Sequence, residues 1–160
     1  MTLLDSFIIR VATVSDIDQL VPLRILMQKE VHREQEVPGG ESEFLELTRK
    51  YYLDALPHGK IICCVAESAG RIVSNTLLIV IEKAPSFSGL KGRIGYVSNV
   101  YTLPEFRGQG LSTALMEKLK EKAREAGIST IMLNATDAAL SVYMRTGFTT
   151  PRQLAMELRL

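Results

Sequence analysis

Apolar residues change their period several times along the chain, and each change marks an element. Residues 7–12 form a short β-rich run that predicts a first strand. Thr13-Val14-Ser15-Asp16 follows as a turn, with Ser15 placed to cap a helix. Over residues 16–33, Ile17, Leu20, Val21, Leu23 and Met27 recur at near-helical spacing, and Pro22 is expected to kink or split that helix. Val37-Pro38-Gly39-Gly40 breaks the chain. A second helical pattern over 41–56 carries Phe44, Leu45, Tyr52 and Leu56, closed by Pro57, His58 and Gly59.

The period then falls to that of strands. Residues 60–67 and 71–81 read as two strands joined by the turn 68–70, a hairpin. Residues 83–93, with two glycines, a proline and two serines, predict a mobile loop, and 94–102 a third long strand stopped by Pro104. Leu111, Leu115, Leu119, Ala123 and Ala126 give an amphipathic helix over 111–126 with Gly127 as its C-cap. A strand over 129–134, a short helix over 137–145 and a last strand over 153–160 complete the order β-αα-βββ-α-β-α-β. Strands mixed with helices predict a mixed α/β fold with helices packed on a sheet. The strand–helix–strand unit over 94–134 predicts a parallel pair with a right-handed crossover.

Composition narrows the function classes. At 160 residues, 46% hydrophobic and 23% charged, the chain reads as one soluble globular domain over 1–160. A net charge of +1 supplies no basic field for nucleic acid or anionic lipid. The longest apolar runs, 61–66 and 77–81, are too short to span a membrane. The opening MTLLDSFIIR is interrupted by Asp5 and has no basic residue ahead of its apolar stretch, so it does not read as a secretory signal. Cys63 and Cys64 are adjacent; on a strand they point to opposite faces, which suits two core residues in a reducing, cytoplasmic compartment better than a disulfide. His32 and His58 stand apart from each other and from the cysteines, so no zinc site is expected.

The candidate chemistry concentrates in Arg107-Gly108-Gln109-Gly110-Leu111-Ser112, which follows a strand and opens the amphipathic helix. Two glycines let the backbone turn tightly and approach a ligand. Unpaired amides and the helix dipole at such a start suit phosphate, and Arg107 and Ser112 add donors. The spacing is neither a Walker A loop nor a dinucleotide fingerprint. Asn134 and Tyr143 belong to the same edge in a parallel arrangement, where α/β sheets bind ligands. Tyr143 is there either as a hydroxyl offered to that ligand or as an amphipathic residue at the core boundary.

The stretch from Tyr96 to Gly110, YVSNVYTLPEFRGQG, resembles the acetyl-CoA-binding motif of the GNAT superfamily of N-acetyltransferases. Asn134-Ala135-Thr136 and the run from Ala139 to Phe148, ALSVYMRTGF, resemble that family's downstream signature, and the order of elements is similar over the whole chain. The family pattern Gln/Arg-x-x-Gly-x-Gly/Ala, started at Arg107, departs at its last position, Ser112. The resemblance implies a central, mostly antiparallel sheet with one splayed parallel pair, helices on both faces, and a bulge near Asn99. It implies acetyl-CoA as co-substrate, with no metal. Pantetheine would lie along Val100, Tyr101 and Thr102 and pair with backbone groups of Val100 and Thr102. The amides of Arg107, Gly108, Gln109, Gly110, Leu111 and Ser112 would hold the pyrophosphate. Asn134 would touch the pantetheine arm, an amide near Val100 would polarise the thioester, and Tyr143 would protonate the leaving thiolate.

The reaction so implied is direct acetyl transfer to a primary amine of a small molecule or peptide. The acceptor is expected between the first two helices, the 83–93 loop and the third long strand, near Arg24, Glu34, Glu36, Tyr51, Tyr52 and Lys91. Glu82, Glu34, Glu36, Tyr96 and a water chain stay open as proton acceptors. A non-catalytic acyl-CoA-binding module and a nucleotide-binding regulatory domain are the competing readings. A homodimer is compatible with the fold, though no interface is visible in the sequence.

Overall fold

The hairpin predicted at residues 68–70 organises the sheet. In the computed structural model, which describes residues 6–33, 35–152 and 155–160, β2 (Ile61–Ser68) and β3 (Arg71–Glu82) pair antiparallel. Ala69 and Gly70 make the turn with φ of 48° and 78°, the handedness that matches strand twist. Around this hairpin the sheet runs β1-β2-β3-β4-β5, with β1 at Ile8–Val11, β4 at Arg93–Thr102 and β5 at Thr130–Met132. The first four strands are antiparallel, and β5 is parallel to β4. The crossover between β4 and β5 is α3 (Leu111–Glu125).

Helices cover both faces. Pairing of Val65 with Asn75 and of Cys63 with Leu77 sets these side chains on one face, under α1 (Ile17–Val31). α2 (Glu41–Ala55) packs on α1. Cys64 and Thr76 point to the other face, under α3. There Leu111, Leu115, Leu119 and Ala123 are all buried, as their spacing predicts. Each fully buried leucine contributes about 1.5–3 kcal/mol. α3 ends in a Schellman arrangement: Gly127, at φ 74°, and Ile128 donate to the carbonyls of Arg124 and Ala123. α4 (Asp137–Arg145) follows β5.

Four details differ from the sequence expectation. Ser15 does not cap the helix; its hydroxyl pairs with that of Thr13, and the Asp16 carboxylate takes the Thr13 amide at 2.7 Å. Pro22 does not split α1, because it sits on the exposed side while Leu20, Val21 and Leu23 around it are buried. β5 stops at Met132, since it pairs only with Ile94, Gly95 and Tyr96 before the strands part. The terminal strand is not formed over 155–160; Met156, Leu158 and Leu160 alternate but are exposed, and an apolar alternation without a backbone partner makes no ladder. Gln153 and Leu154, where that strand was expected to start, lie outside the described residues.

One ion cluster joins β1, β2 and the entry to α1. Arg10 grips Asp16 through two bonds of 2.7 and 2.8 Å and also meets Glu67 at 2.7 Å. Asp16 is buried, and Arg10 holds its carboxyl below the usual carboxylate range. A carboxylate depressed in the folded state stabilises fully above its unfolded value, about pH 3.9, and the contribution is lost as pH falls through the folded value. We expect Asp16→Asn to cost about 2 kcal/mol at pH 7. The gap from wild type should narrow toward pH 3. Urea midpoints at both pH values measure this; a gap of equal size at pH 3 would contradict it.

Candidate active site

The sheet opens where β4 loses its neighbour. Leu77 faces Asn99 and Leu78 faces Val97, so Ser98 is an extra residue, a β-bulge. Arg24 on α1 pins this bulge: its Nη1 donates to the Ser98 carbonyl at 3.1 Å and to Asn99 Oδ1 at 3.3 Å. Beyond it, the Leu103 amide bonds to Val73 on β3, and the Ser74 hydroxyl bonds to the Tyr101 carbonyl. Backbone groups alternate in direction along a strand, so those of Val100 and Thr102 face away from β3. On that side β5 has already ended at its Tyr96–Met132 pairing. The result is a gap edged by peptide groups of Val100 and Thr102 that no strand pairs among the described residues; the Thr102 carbonyl is met only by a side chain, Arg107.

The gap leads to the glycine turn. After a 3₁₀ turn at Pro104–Phe106, Gly108 and Gly110 take φ of 75° and 79°. A methyl group on either would meet no atom within 4 Å, so the space above the turn is open. Among the described residues no side chain caps α3, and its first amides have no intrahelical partners. Thr102 Oγ1 lies 3.4 Å from Ser112 Oγ, which joins strand end to helix start. These features fit a CoA-type ligand: a strand-like arm for the gap and phosphates for the helix start.

Arg107 is part of this cluster but is engaged locally. Its Nη2 meets Glu30 at 2.6 Å and its Nε donates to the Thr102 carbonyl at 3.0 Å. Its guanidinium lies 5.7 Å from the Tyr101 ring centre. Glu30 on α1 carries no sequence signal, and its pairing emerges only in three dimensions.

Asn134 lies just past β5 and donates to the Tyr96 hydroxyl at 3.2 Å. Tyr143 is half-buried on α4, edge-on to Phe148 at 5.8 Å. Burial pushes its phenol upward, so it keeps its proton near neutral pH. Its hydroxyl makes no hydrogen bond among the described residues. Val100, Tyr101, Thr102, Arg107 and Ser112 are thus brought together, whereas Asn134 and Tyr143 form no hydrogen bond to that cluster.

On the other side of the bulge is a cavity of about 700 Å³. Arg24 and Gln28 line it from successive turns of α1 and His32 from just past its end, facing Phe44, Tyr51 and Tyr52 on α2. Leu77, Ile79 and Ser98 contribute from the sheet, and Glu36 from the connecting segment. Arg24, Glu36, Tyr51 and Tyr52 therefore lie where the acceptor was expected. Lys91 and the 83–93 loop do not line this cavity; Lys91 lies against Gly127. Glu82 is exposed, paired with Arg93 at 3.3 Å and outside the cavity, and Glu34 lies outside the described residues. Gln28, His32 and Phe44 were missed, although the four-residue spacing of Arg24, Gln28 and His32 marks one helix face. Cys63 and Cys64 are buried and unbridged; burial pushes the Cys64 thiol up to about 12 and Cys63 higher still, which suits core residues rather than nucleophiles.

The profile of the acetyltransferase (GNAT) family matches residues 26–148. The chain belongs to the GNAT acetyltransferase family. The matched segment contains the bulge, the gap, the glycine turn and Tyr143, so the GNAT signature and the geometry coincide. Among relatives, glucosamine 6-phosphate N-acetyltransferase of Trypanosoma brucei brucei is 30% identical over 100 residues, 62% of this chain and 65% of that protein. Thialysine N-epsilon-acetyltransferase of Bos taurus is 35% identical over 65 residues, 39% of this chain and 38% of that one. Both matches span less than two thirds of the relative's length. The crystal structure of a predicted acetyltransferase with acetyl-CoA from Clostridium acetobutylicum superimposes with a TM-score of 0.83 at 26% identity, covering 96% of each chain.

The glycine turn of this GNAT protein can be tested separately from its folding. A methyl at Gly110 meets nothing, so Gly110→Ala should cost folding only the left-handed strain, about 1–2 kcal/mol. CoA should raise the wild-type Tm, and a ligand at a hundredfold excess over its Kd stabilises by about 2.7 kcal/mol. In Gly110→Ala that CoA-induced rise should fall by more than half. An undiminished rise would make the turn a mere connector.

Proposed function

We propose that this GNAT protein is an acetyl-CoA-dependent N-acetyltransferase acting on the primary amine of a small molecule. The observation that carries the reading is the gap beside Val100 and Thr102, opening onto an uncapped helix with two left-handed glycines. The names of the two relatives, one acting on glucosamine 6-phosphate and one on thialysine, support an amine as acceptor. The cavity is of the size that holds a small ligand. The working unit is the single domain over 1–160, in a reducing compartment such as the cytoplasm.

Acetyl-CoA, when bound, supplies its acetyl group as a thioester, which a neutral amine takes as the C–N bond forms and the C–S bond breaks. The chain's own groups do the rest. The Val100 and Thr102 backbones pair with the pantetheine arm, and an amide at Val100 faces the developing oxyanion. The amides from Arg107 to Ser112 hold the pyrophosphate, and Asn134 steadies the arm. Tyr143, protonated at neutral pH, gives its proton to the departing sulfur and regains one from solvent. The amine's proton leaves through water at the cavity, where Glu36 is the exposed carboxylate. The buried cysteines take no part, so transfer is direct.

The test is release of free CoA thiol from acetyl-CoA in the presence of an amine panel. Tyr143→Phe keeps the ring against Phe148 and removes only the hydroxyl. We expect kcat to fall by about 10²-fold or more, with the CoA-induced Tm rise unchanged. A kcat within twofold of wild type, with chemistry rate-limiting, would remove the proton-donor role. CoA binding with no amine ever acetylated would point to a binding module instead.

A further inference from the structure

We propose that Arg24 recognises the acceptor's carboxylate, and that the acceptor is an α-amino acid with a bulky apolar side chain. The proposal rests on the acetyltransferase reading above and names the substrate class of that site.

Two arginines are partly buried among the described residues, Arg10 and Arg24. Arg10 is matched by two carboxylates, Asp16 and Glu67. Arg24 has none; its hydrogen bonds leave from Nη1 alone and end on neutral oxygens of Ser98 and Asn99. A guanidinium carries five donors in a planar fork suited to a carboxylate. Drawing such a charge partly out of water without a counter-ion is costly, unless a ligand brings the anion. The other cation lining the cavity, Lys29, is already paired with Glu41. Beside Arg24, Asn99 is 3% exposed and its Nδ2 has no hydrogen-bond partner among the described residues. A second unused donor therefore stands at the same bulge.

Position selects the kind of anion. Arg24 holds Ser98 and Asn99, the residues just before Val100, whose amide faces the reacting carbonyl in the proposed mechanism. An anion on Arg24 is then close to the nucleophilic nitrogen. In an α-amino acid the two groups share one carbon. An amine carrying its acid at the far end of a long chain would not reach both. Gln28, His32 and Glu36 line one part of the cavity, and Phe44, Tyr52, Leu77 and Ile79 form an apolar wall on the other. That wall suits a leucine-like or phenylalanine-like side chain.

The experiment compares matched acceptors with the intact protein and acetyl-CoA: L-leucine, L-leucinamide and 3-methylbutylamine, then L-phenylalanine, its amide and 2-phenylethylamine. We expect kcat/KM for each amino acid to exceed that of its amide and its amine by about 10²-fold. In Arg24→Met that preference should collapse toward unity, chiefly through KM, while Arg24→Lys keeps part of it. As a readout free of turnover, N-acetyl-L-leucine with CoA should raise the wild-type Tm further than N-acetyl-3-methylbutylamine, and not in Arg24→Met. Equal use of amine and amino acid overturns the proposal. So does an equal loss for both in Arg24→Met, which would leave Arg24 only a strut for the bulge. If acetyl-CoA itself produces no Tm rise, the acetyltransferase reading fails as well. If it does, and neither amino acid is acetylated nor its product bound, this proposal fails alone.

Discussion

A strand that loses its neighbour leaves amides and carbonyls that must find other partners, because unpaired peptide groups are costly once they are withdrawn from water. β4 is such a strand. It is paired on both sides as far as Tyr96 and on one side only beyond the Ser98 bulge. The open edge at Val100 and Thr102 is where a strand-like ligand can complete the sheet. Everything around it serves to keep that edge in place. β3 holds the inner side through Val73 and Ser74, and α1 grips the bulge through Arg24. Glu30 on α1 draws Arg107 across the Thr102 carbonyl. A sheet closed by β5 along its full length would have no such edge.

The two helical layers divide the chemistry. α3 lies on one face and presents its uncapped start at the end of β4, a place for phosphate. α1 and α2 lie on the other face and enclose the apolar cavity against the same bulge. The bulge is therefore the point where the gap and the cavity come together. Arg24 touches it from the cavity side, so the side chain that steadies the strand also lines the cavity.

Much of this was legible in the residues. The hairpin, α3 and its Gly127 cap follow from local periodicity and from a φ that favours glycine. The glycine turn was legible for the same reason. The Ser98 bulge was not derivable from β4 alone, because register is a property of two strands; only the family resemblance suggested it near Asn99. The pairing of Arg107 with Glu30 joins residues far apart in sequence, and no local pattern announces it. The cavity was only half visible, since α1 and α2 build it jointly while the 83–93 loop stays outside. The alternation of Met156, Leu158 and Leu160 misled, because pattern alone does not provide a partner strand.

If the open edge of β4 and the start of α3 together hold acetyl-CoA, as proposed, binding must protect their amides. Amide hydrogen exchange with and without acetyl-CoA reads those groups directly. We expect slowed exchange at Val100 and Thr102 and over residues 108–113, with the amides of β1 and β2 unchanged. A rise in Tm with acetyl-CoA but no protection at Val100 and Thr102 would contradict it.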